Sequence, residues 1–461
     1  MFKYNSGLHQ ASTTPRTRKT RVEMNEVIAP LQHVLAQRQF ENFLNAMAVY
    51  AIQRAYDKEA QGLLTGSSTL DALCCQAAEA IERDDPMPAA TAGTDDFTLY
   101  IATELYWGKG GHTPLLMDLI KVDRSARREL VLTNINGGPK TSEFKQQLSQ
   151  ALGPSVKAHY LEAESLLEKI LILRAYIRAQ RPRRIILMTH QHDVVSYCGL
   201  TGGSARQIIK VLHADTFSLG LNIPWYMLVT LNAISAQDIA NDTGRGVHLW
   251  PIAAEDQGMR PWREWEAGGP LKTCSHGTQR KFDGQAGLTY ADVVAQRLQL
   301  LPGEHVHIGD LNEEMLHQIR ATIARAGLAA ERFSHVGSVP SLWRYLKASD
   351  IQLCISSFPV CGPRGLVETK GCGLPVLMYE NREHPVRSSL IHAYPGCLHW
   401  STEQELVAAY RALTPAVLRE QALLARADYE RNHSMEALGT KARIPDNYVA
   451  PKVCRPAGTL T

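Results

Sequence analysis

An alternation running through most of this chain constrains its fold more than any other feature: short apolar or β-branched runs separated by stretches with helical spacing. "FTLYIATEL" (97–105), "ELVLTNI" (129–135), "SVKAHYL" (155–161), "RRIILMTH" (183–190) and "QIIKVLH" (207–213) read as strands, and "TPLLMDLIKV" and "ESLLEKILILRAYIRAQ" between them carry apolar residues three and four apart. Strands alternating with helices predict a parallel sheet covered on both faces. After a Gly-, Trp- and charge-rich interval from about Ala253 to Gly284 the pattern restarts with "HVHIGD" (305–310), "RFSHVG" (332–337), "IQLCISS" (351–357) and "PVLMYE" (375–380), so a second α/β unit follows the first.

The ends are different. From about Glu23 to Arg83 the spacing is helical, and "DDPMPAATAGTDD" after it has the Pro, Gly, Thr and Asp content of a linker. Arg16, Arg18, Lys19 and Arg21 lie in a Ser/Thr/Pro-containing N-terminus that reads as a disordered basic tail. At the other end, "EQELVAAYRALTPAVLREQALLARADYERNHS" predicts helices interrupted near Pro415, followed by a Pro-containing tail. The expected units are a tail over 1–22, a helical region and linker over 23–95, one α/β domain over 96–265, a second over 266–432, and a tail over 433–461.

Charge and cysteine usage exclude several classes of function. The 49 basic and 46 acidic residues leave a formal net charge of +3, with no sign of a protein built to neutralise nucleic-acid phosphates. The nine cysteines form no CxxC pair, which suits reduced thiols in the cytoplasm better than a disulfide framework or a zinc site. No window approaches a membrane span and no signal-peptide core opens the chain, so at most peripheral membrane contact is expected.

Ligands of open α/β sheets bind beyond the C-terminal ends of the strands, and the loops there are glycine-rich and polar. After the first strand come Gly108, Lys109, Gly110, Gly111, His112 and Thr113, leading into a helix. This is either a tight turn with His112 near the cap or a place where backbone and imidazole meet a substrate. His190, His192 and Asp193 follow one strand, and His213 and Asp215 another. Such His/Asp pairs serve as caps and satisfied core histidines, as a general base with its orienting carboxylate, or as metal ligands; no compact metal-ligand spacing such as H-E-x-x-H is present. In the second unit "CSHGTQRKF" offers Gly277, Thr278, Arg280 and Lys281, either a solvated basic loop or the cations that a diphosphate leaving group requires without a metal. The segment from Phe358 to Val376 holds the densest signal. A glycine loop with Gly362, Pro363, Arg364 and Gly365 enters a short helix carrying Glu368, and Gly373-Leu374-Pro375 then leads into a strand. Helix-end amides there can hold phosphate oxygens while the carboxylate accepts from ribose hydroxyls.

The spacing F-P-x-x-G, five residues, an acidic residue and then G-x-P-V resembles the donor-binding half of GT-B fold glycosyltransferases, in particular the O-GlcNAc transferase family and related bacterial enzymes. The resemblance implies that Glu368 holds the nucleotide ribose. It implies too that Val336, Gly337 and Leu342, in "FSHVGSVPSLWRYLKASDIQL", belong to the segment lining base and phosphates. Lys281 resembles the lysine that neutralises the donor diphosphate, Gly110-Gly111-His112 resembles the first-domain loop facing the sugar, and "HADTFSLGL" resembles a stretch of bacterial glycosyltransferases. The likeness spans roughly Phe97 to His433. Val360 stands where the E-x7-E motif of a large retaining family needs a carboxylate, and no tetratricopeptide array is present.

The expected fold class is therefore α/β of GT-B type, two Rossmann-like domains facing a cleft, with an N-terminal helical region. The implied function is transfer of a sugar from a nucleoside diphosphate sugar, with UDP the expected nucleotide, to a glycan, a lipid-linked glycan or a protein, without a metal or other cofactor. Lys281, Arg280 and helix-end amides would stabilise the departing diphosphate, and His112 or the His213/Asp215 pair would deprotonate the acceptor or hold the donor sugar. An epimerase or hydrolase acting on nucleotide sugars, or a non-catalytic nucleotide-sugar-binding protein, would show the same donor-side residues.

Overall fold

The structure is a computed structural model that describes residues 27–57, 65–86, 96–107, 111–138, 141–214, 216–283 and 288–443. The basic tail over 1–22, most of the linker before Asp96, and Gly108, Lys109, Gly110 and Asp215 lie outside the described residues.

Seven parallel strands form the first sheet: β1 (Phe97–Ala102), β2 (Arg127–Leu132), β3 (Val156–Tyr160), β4 (Arg184–Met188), β5 (Gln207–Leu212), β6 (Tyr226–Thr230) and β7 (Val247–Leu249), in the order β3-β2-β1-β4-β5-β6-β7. All six residues of β1 are buried, as a central parallel strand covered on both faces requires. The covering helices are α1 (residues 27–36), α2 (Phe40–Tyr56), α3 (Ser68–Asp84), α4 (His112–Val122), α5 (Ser142–Leu152), α6 (Leu166–Gln180), α7 (Val194–Gly199) and α8 (Ala233–Thr243).

The helices that precede β1 are a layer of this domain. Phe43, Leu44, Met47, Leu73 and Cys74 share one core with Leu99, Ile101, Ile185 and Leu187 of the sheet, because an amphipathic helix pair has no other surface on which to bury its apolar face. Two carboxylates add directional ties. Glu41 of α2 accepts from the amides of Leu166 (3.0 Å) and Leu167 (2.8 Å) at the start of α6. Asp71 of α3, fully buried, accepts from the amides of Gly220 (2.6 Å) and Asn222 (2.7 Å), holding down the loop that follows β5.

The second sheet has six parallel strands, β8 (Leu271–His276), β9 (Gly303–Ile308), β10 (Phe333–Gly337), β11 (Leu353–Ile355), β12 (Val376–Tyr379) and β13 (Leu398–Trp400), in the order β10-β9-β8-β11-β12-β13. Its helices are α9 (Tyr290–Leu300), α10 (Glu313–Arg325), α11 (Leu342–Ala348), α12 (Pro363–Gly371), α13 (Glu403–Arg411) and α14 (Pro415–Asn432). Pro415 opens α14, with the Thr414 hydroxyl capping the Val417 amide at 3.1 Å. The central strand β8 falls inside the interval read as irregular, since Thr273, Ser275 and His276 break its apolar pattern. Thr273 and His276 are buried among polar partners: Thr273 Oγ1 lies 2.8 Å from His305 Nδ1, and His276 Nε2 lies 3.0 Å from the Thr369 hydroxyl.

The chain crosses between the domains twice. In the first crossing Trp250 and Ala253 join the first-domain core, while Ile252 and Ala254 face that of the second. The second carries α15 (Met435–Lys441) out of the region expected to be a tail and onto α4, burying Leu438 in the first core. The crossings are bonded to each other: His433 Nδ1 lies 2.8 Å from the Ile252 carbonyl, and the Ala254 amide donates to the His433 carbonyl at 3.0 Å.

Candidate active site

Each sheet reverses its strand order at one point, between β1 and β4 in the first and between β8 and β11 in the second. In doubly wound sheets the loops leaving such strands diverge and leave a crevice, which is where ligands bind.

On the second domain the crevice is floored by the first turn of α12. Gly362, its N-cap, makes no side-chain cap hydrogen bond, and Pro363 opens the helix, so the amides of the first turn face outward with the positive end of the helix dipole. Lys281, from the short helical turn after β8, places Nζ 2.8 Å from the carbonyl of Cys361, immediately before that turn. Gly365 is dictated by packing: a Cβ there would lie 2.6 Å from His276 Cε1 at the end of β8. His276 Nε2 in turn lies 3.0 Å from the Thr369 hydroxyl, which donates to the Gly365 carbonyl at 2.8 Å. Leu342, at the start of α11, closes the other side of Gly365. Gly277 (φ 137°), Gly309 (φ 129°) and Gly337 (φ 75°) line the ends of β8, β9 and β10, with the Gly309 amide donating to the Gly337 carbonyl at 2.8 Å. Val336 beside them is exposed, as is Arg280.

The first-domain wall is a group of imidazoles. His112, the first residue of α4, has ring centroids 4.5 Å from His213 and 5.5 Å from His190, and His190 is 5.8 Å from His192. His112 Nε2 lies 2.8 Å from the Met188 carbonyl at the end of β4. A carbonyl only accepts, so Nε2 carries the proton and Nδ1 presents a lone pair. Burial holds all four in the neutral form: His112 is lowered to about 4, His190 and His192 are lowered, and His213 lies well below the ordinary range, depressed further by His112 and His190. His213 Nδ1 and His192 Nδ1 are buried and have no hydrogen-bond partner among the described residues.

The Asp193 carboxylate makes no hydrogen bond to these imidazoles. It accepts from the Thr103 and Thr133 hydroxyls at 2.6 Å each and caps α7 through the Ser196 amide at 3.1 Å. Sequence reasoning passed over Glu104, a buried carboxylate at the end of β1 that accepts from the Tyr106 hydroxyl (2.5 Å) and the Asn136 amide (2.8 Å), while Asn136 Oδ1 lies 3.0 Å from His192 Nε2. An acidic residue closing an otherwise apolar strand was the available signal. Among the described residues no three His, Cys, Asp or Glu side chains converge to hold a metal ion.

The two walls meet. Gly111, the N-cap of α4, lies so close to α12 that a Cβ on it would sit 3.6 Å from Arg364 Cβ. Arg364 donates to Asp118 of α4 and to the Ala253 carbonyl, and its Nε donates to Glu368 Oε1 at 3.0 Å. Thus Lys281 meets the loop that enters α12, Gly111 beside His112 meets α12 itself, and Arg364 ties Glu368 to α4.

No protein-family model matches the sequence, and no curated protein is detectably similar to it. Solved structures share its architecture at low identity. HepE of Anabaena, in complex with UDP and glucose, is 16% identical with a TM-score of 0.54, over 75% of this chain and 98% of that one. TarM is 9% identical with a TM-score of 0.59, over 75% and 97%. The two parallel sheets of seven and six strands with flanking helices match the two Rossmann-like domains of these structures. The fold is GT-B. An O-GlcNAc transferase of Thermobaculum terrenum, 15% identical with a TM-score of 0.53, matches 90% of this chain and 78% of its own. So large a share exceeds the two-sheet span of the GT-B core and takes in part of the N-terminal helical region. At these identities the likeness is one of fold.

Proposed function

We propose that this chain is a glycosyltransferase that transfers a sugar from a nucleoside diphosphate sugar, with UDP as the nucleotide, to an acceptor nucleophile entering from the first domain. The observation that carries the reading is the convergence at the start of α12: Lys281 beside the Cys361 carbonyl, outward-facing first-turn amides, Glu368 one turn on, and the His112 loop opposite. A diphosphate fits at a helix N-terminus flanked by a lysine. Four of the structures in the comparison, three of HepE and one of TarM, are complexes that contain UDP or UDP-glucose, which supports the choice of nucleotide.

In the reaction the bond between the anomeric carbon and the diphosphate oxygen breaks, and its electron pair leaves with the diphosphate. Lys281 and the α12 amides stabilise that charge. The acceptor oxygen or nitrogen forms the new bond and loses its proton to a neutral imidazole, His112 through Nδ1 or the adjacent His213. The nearby diphosphate raises the proton affinity of an otherwise weakly basic ring. Glu368 accepts from the ribose hydroxyls, and Val336, Gly337 and Leu342 lie on the base and phosphate side. The acceptor is a glycan, a lipid-linked glycan or a protein.

The contact between Glu368 and the ribose is worth about 1.5–3 kcal/mol and is nearly equal in ground and transition states, because the ribose lies away from the breaking bond. Glu368→Ala should therefore raise the donor KM about 10- to 100-fold with a smaller effect on kcat, and Glu368→Gln should fall between it and the wild type. Calorimetric titration of UDP measures this without knowledge of the acceptor. Unchanged UDP affinity in folded Glu368→Ala would remove the nucleotide site from the second domain. Because the charge is met by Lys281 and amides, EDTA should change the rate by less than about twofold; activity lost on chelation and restored by manganese would assign that role to a metal.

A further inference from the structure

Asp118 and Arg364 are 246 positions apart, and neither the alternation of strands and helices nor any motif pairs them. In the fold, Arg364 sits in the first turn of α12 and reaches across the crevice. One guanidinium nitrogen, Nη1, meets the Asp118 carboxylate on α4 and the Ala253 carbonyl of the first crossing segment, while Nε holds Glu368 Oε1 at 3.0 Å. The three side chains are largely enclosed, at 11% exposure for Asp118, 20% for Arg364 and 19% for Glu368. A guanidinium held by two carboxylates and a carbonyl is directed along α12 and across the interface, away from the first-turn amides where a diphosphate would lie. Oε2 of Glu368 makes no hydrogen bond within the described residues.

We infer that Asp118 is a positioning residue for the nucleotide site: acting through Arg364, it sets the orientation of Glu368 and hence the affinity for the ribose. The inference rests on the reading of Glu368 as the ribose anchor. Without Asp118 the guanidinium turns wholly toward Glu368 or out of the interface, and in either case the carboxylate leaves the geometry in which one oxygen faces Arg364 and the other the ligand. Asp118 also lies on the helix that begins with His112, so the same ion pair sets the spacing between the imidazole wall and the donor helix. Arg364, read from sequence as a donor ligand, is in this account a link between Asp118 and Glu368.

A double-mutant cycle on the full chain tests this, with UMP and UDP titrated into the wild type, Asp118→Asn, Glu368→Gln and the double variant. Asp118→Asn should weaken UMP and UDP by a common factor of about 3 to 10, and the same substitution should cost less than about twofold once Glu368 is Gln. Arg364→Lys, which keeps the charge but loses the fork, should reproduce the loss and the non-additivity. That second cycle decides the matter if Asp118→Asn fails to fold. Equal losses in both backgrounds, or a loss for UDP alone, overturn the inference while leaving the nucleotide site intact. A wild type that binds no UDP, or a Glu368→Gln variant that binds it normally, overturns the ribose reading and this inference together.

Discussion

His112 shows how a single side chain acquires a role from what surrounds it. Its Nε2 proton is committed to the Met188 carbonyl, its ring lies tilted against His213, and burial depresses its proton affinity, which leaves the Nδ1 lone pair as its basic site. Replacing it with alanine should lower kcat by roughly 10²-fold, the usual contribution of a positioned proton acceptor. The orphaned Met188 carbonyl should cost about 1–2 kcal/mol and a few degrees of melting temperature. Steady-state kinetics with a thermal melt check both, and a fully active His112→Ala protein would make the histidine structural. The sequence places His112 and His213 at strand ends 101 positions apart. Their contact depends on β1 and β5 flanking β4 in the sheet.

At the scale of elements, the donor helix is held in place by its neighbours as much as by its own turns. Gly371, at its C-terminal end, lies against the ring of Trp343 in α11; an added Cβ would fall 2.1 Å from Cη2, and Trp343 is itself anchored by its Nε1 donating to the Gly258 carbonyl at 2.9 Å. Gly371→Ala should therefore push α11 and α12 apart at a cost of about 1–3 kcal/mol, lowering the melting temperature by several degrees. Pairing it with Trp343→Phe should recover part of the loss. An unchanged melt for the single variant would show that the two helices slide freely. The strands of this domain were unevenly visible in the sequence: the apolar runs of β9, β11 and β12 announce themselves, whereas β8 hides its central position behind Thr273, Ser275 and His276. For Thr273 and His276 that burial is met by partners distant in sequence, His305 and Thr369.

For the whole molecule, the abundance of buried neutral histidines sets how stability responds to acid. Burial lowers His112 and His433 to about 4 and His307 to about 3, and lowers His190, His192, His213, His305 and His392 as well. In the unfolded chain histidines titrate near about 6.5, so below that pH the unfolded state binds more protons and stability falls with pH. Each strongly shifted imidazole contributes stability that is complete above about pH 7 and has lost about 1–2 kcal/mol by pH 5. Asp71 and Asp118, raised by burial, and His276 oppose this trend. Lys210, lowered to about 7 by burial, adds stability as pH rises above 7, so the melting temperature should rise modestly from pH 7 to 8 and fall steadily between pH 6.5 and 5. A melt independent of pH in that range would mean that these rings are hydrated or already charged.

By itself the sequence determined the local terms: which runs become strands, where the two α/β units fall, that the C-terminal helices are interrupted near Pro415, and that glycines, a lysine and a carboxylate cluster at the ends of particular strands. These follow from side-chain periodicity and backbone freedom, which act over a few residues. Tertiary structure alone decided that the N-terminal helices complete the first domain, that the expected C-terminal tail returns as α15 to α4, and that Arg364 joins Glu368 to Asp118. Those outcomes depend on contacts between segments far apart in the chain, where complementary apolar faces and opposite charges must meet in three dimensions before either carries any meaning.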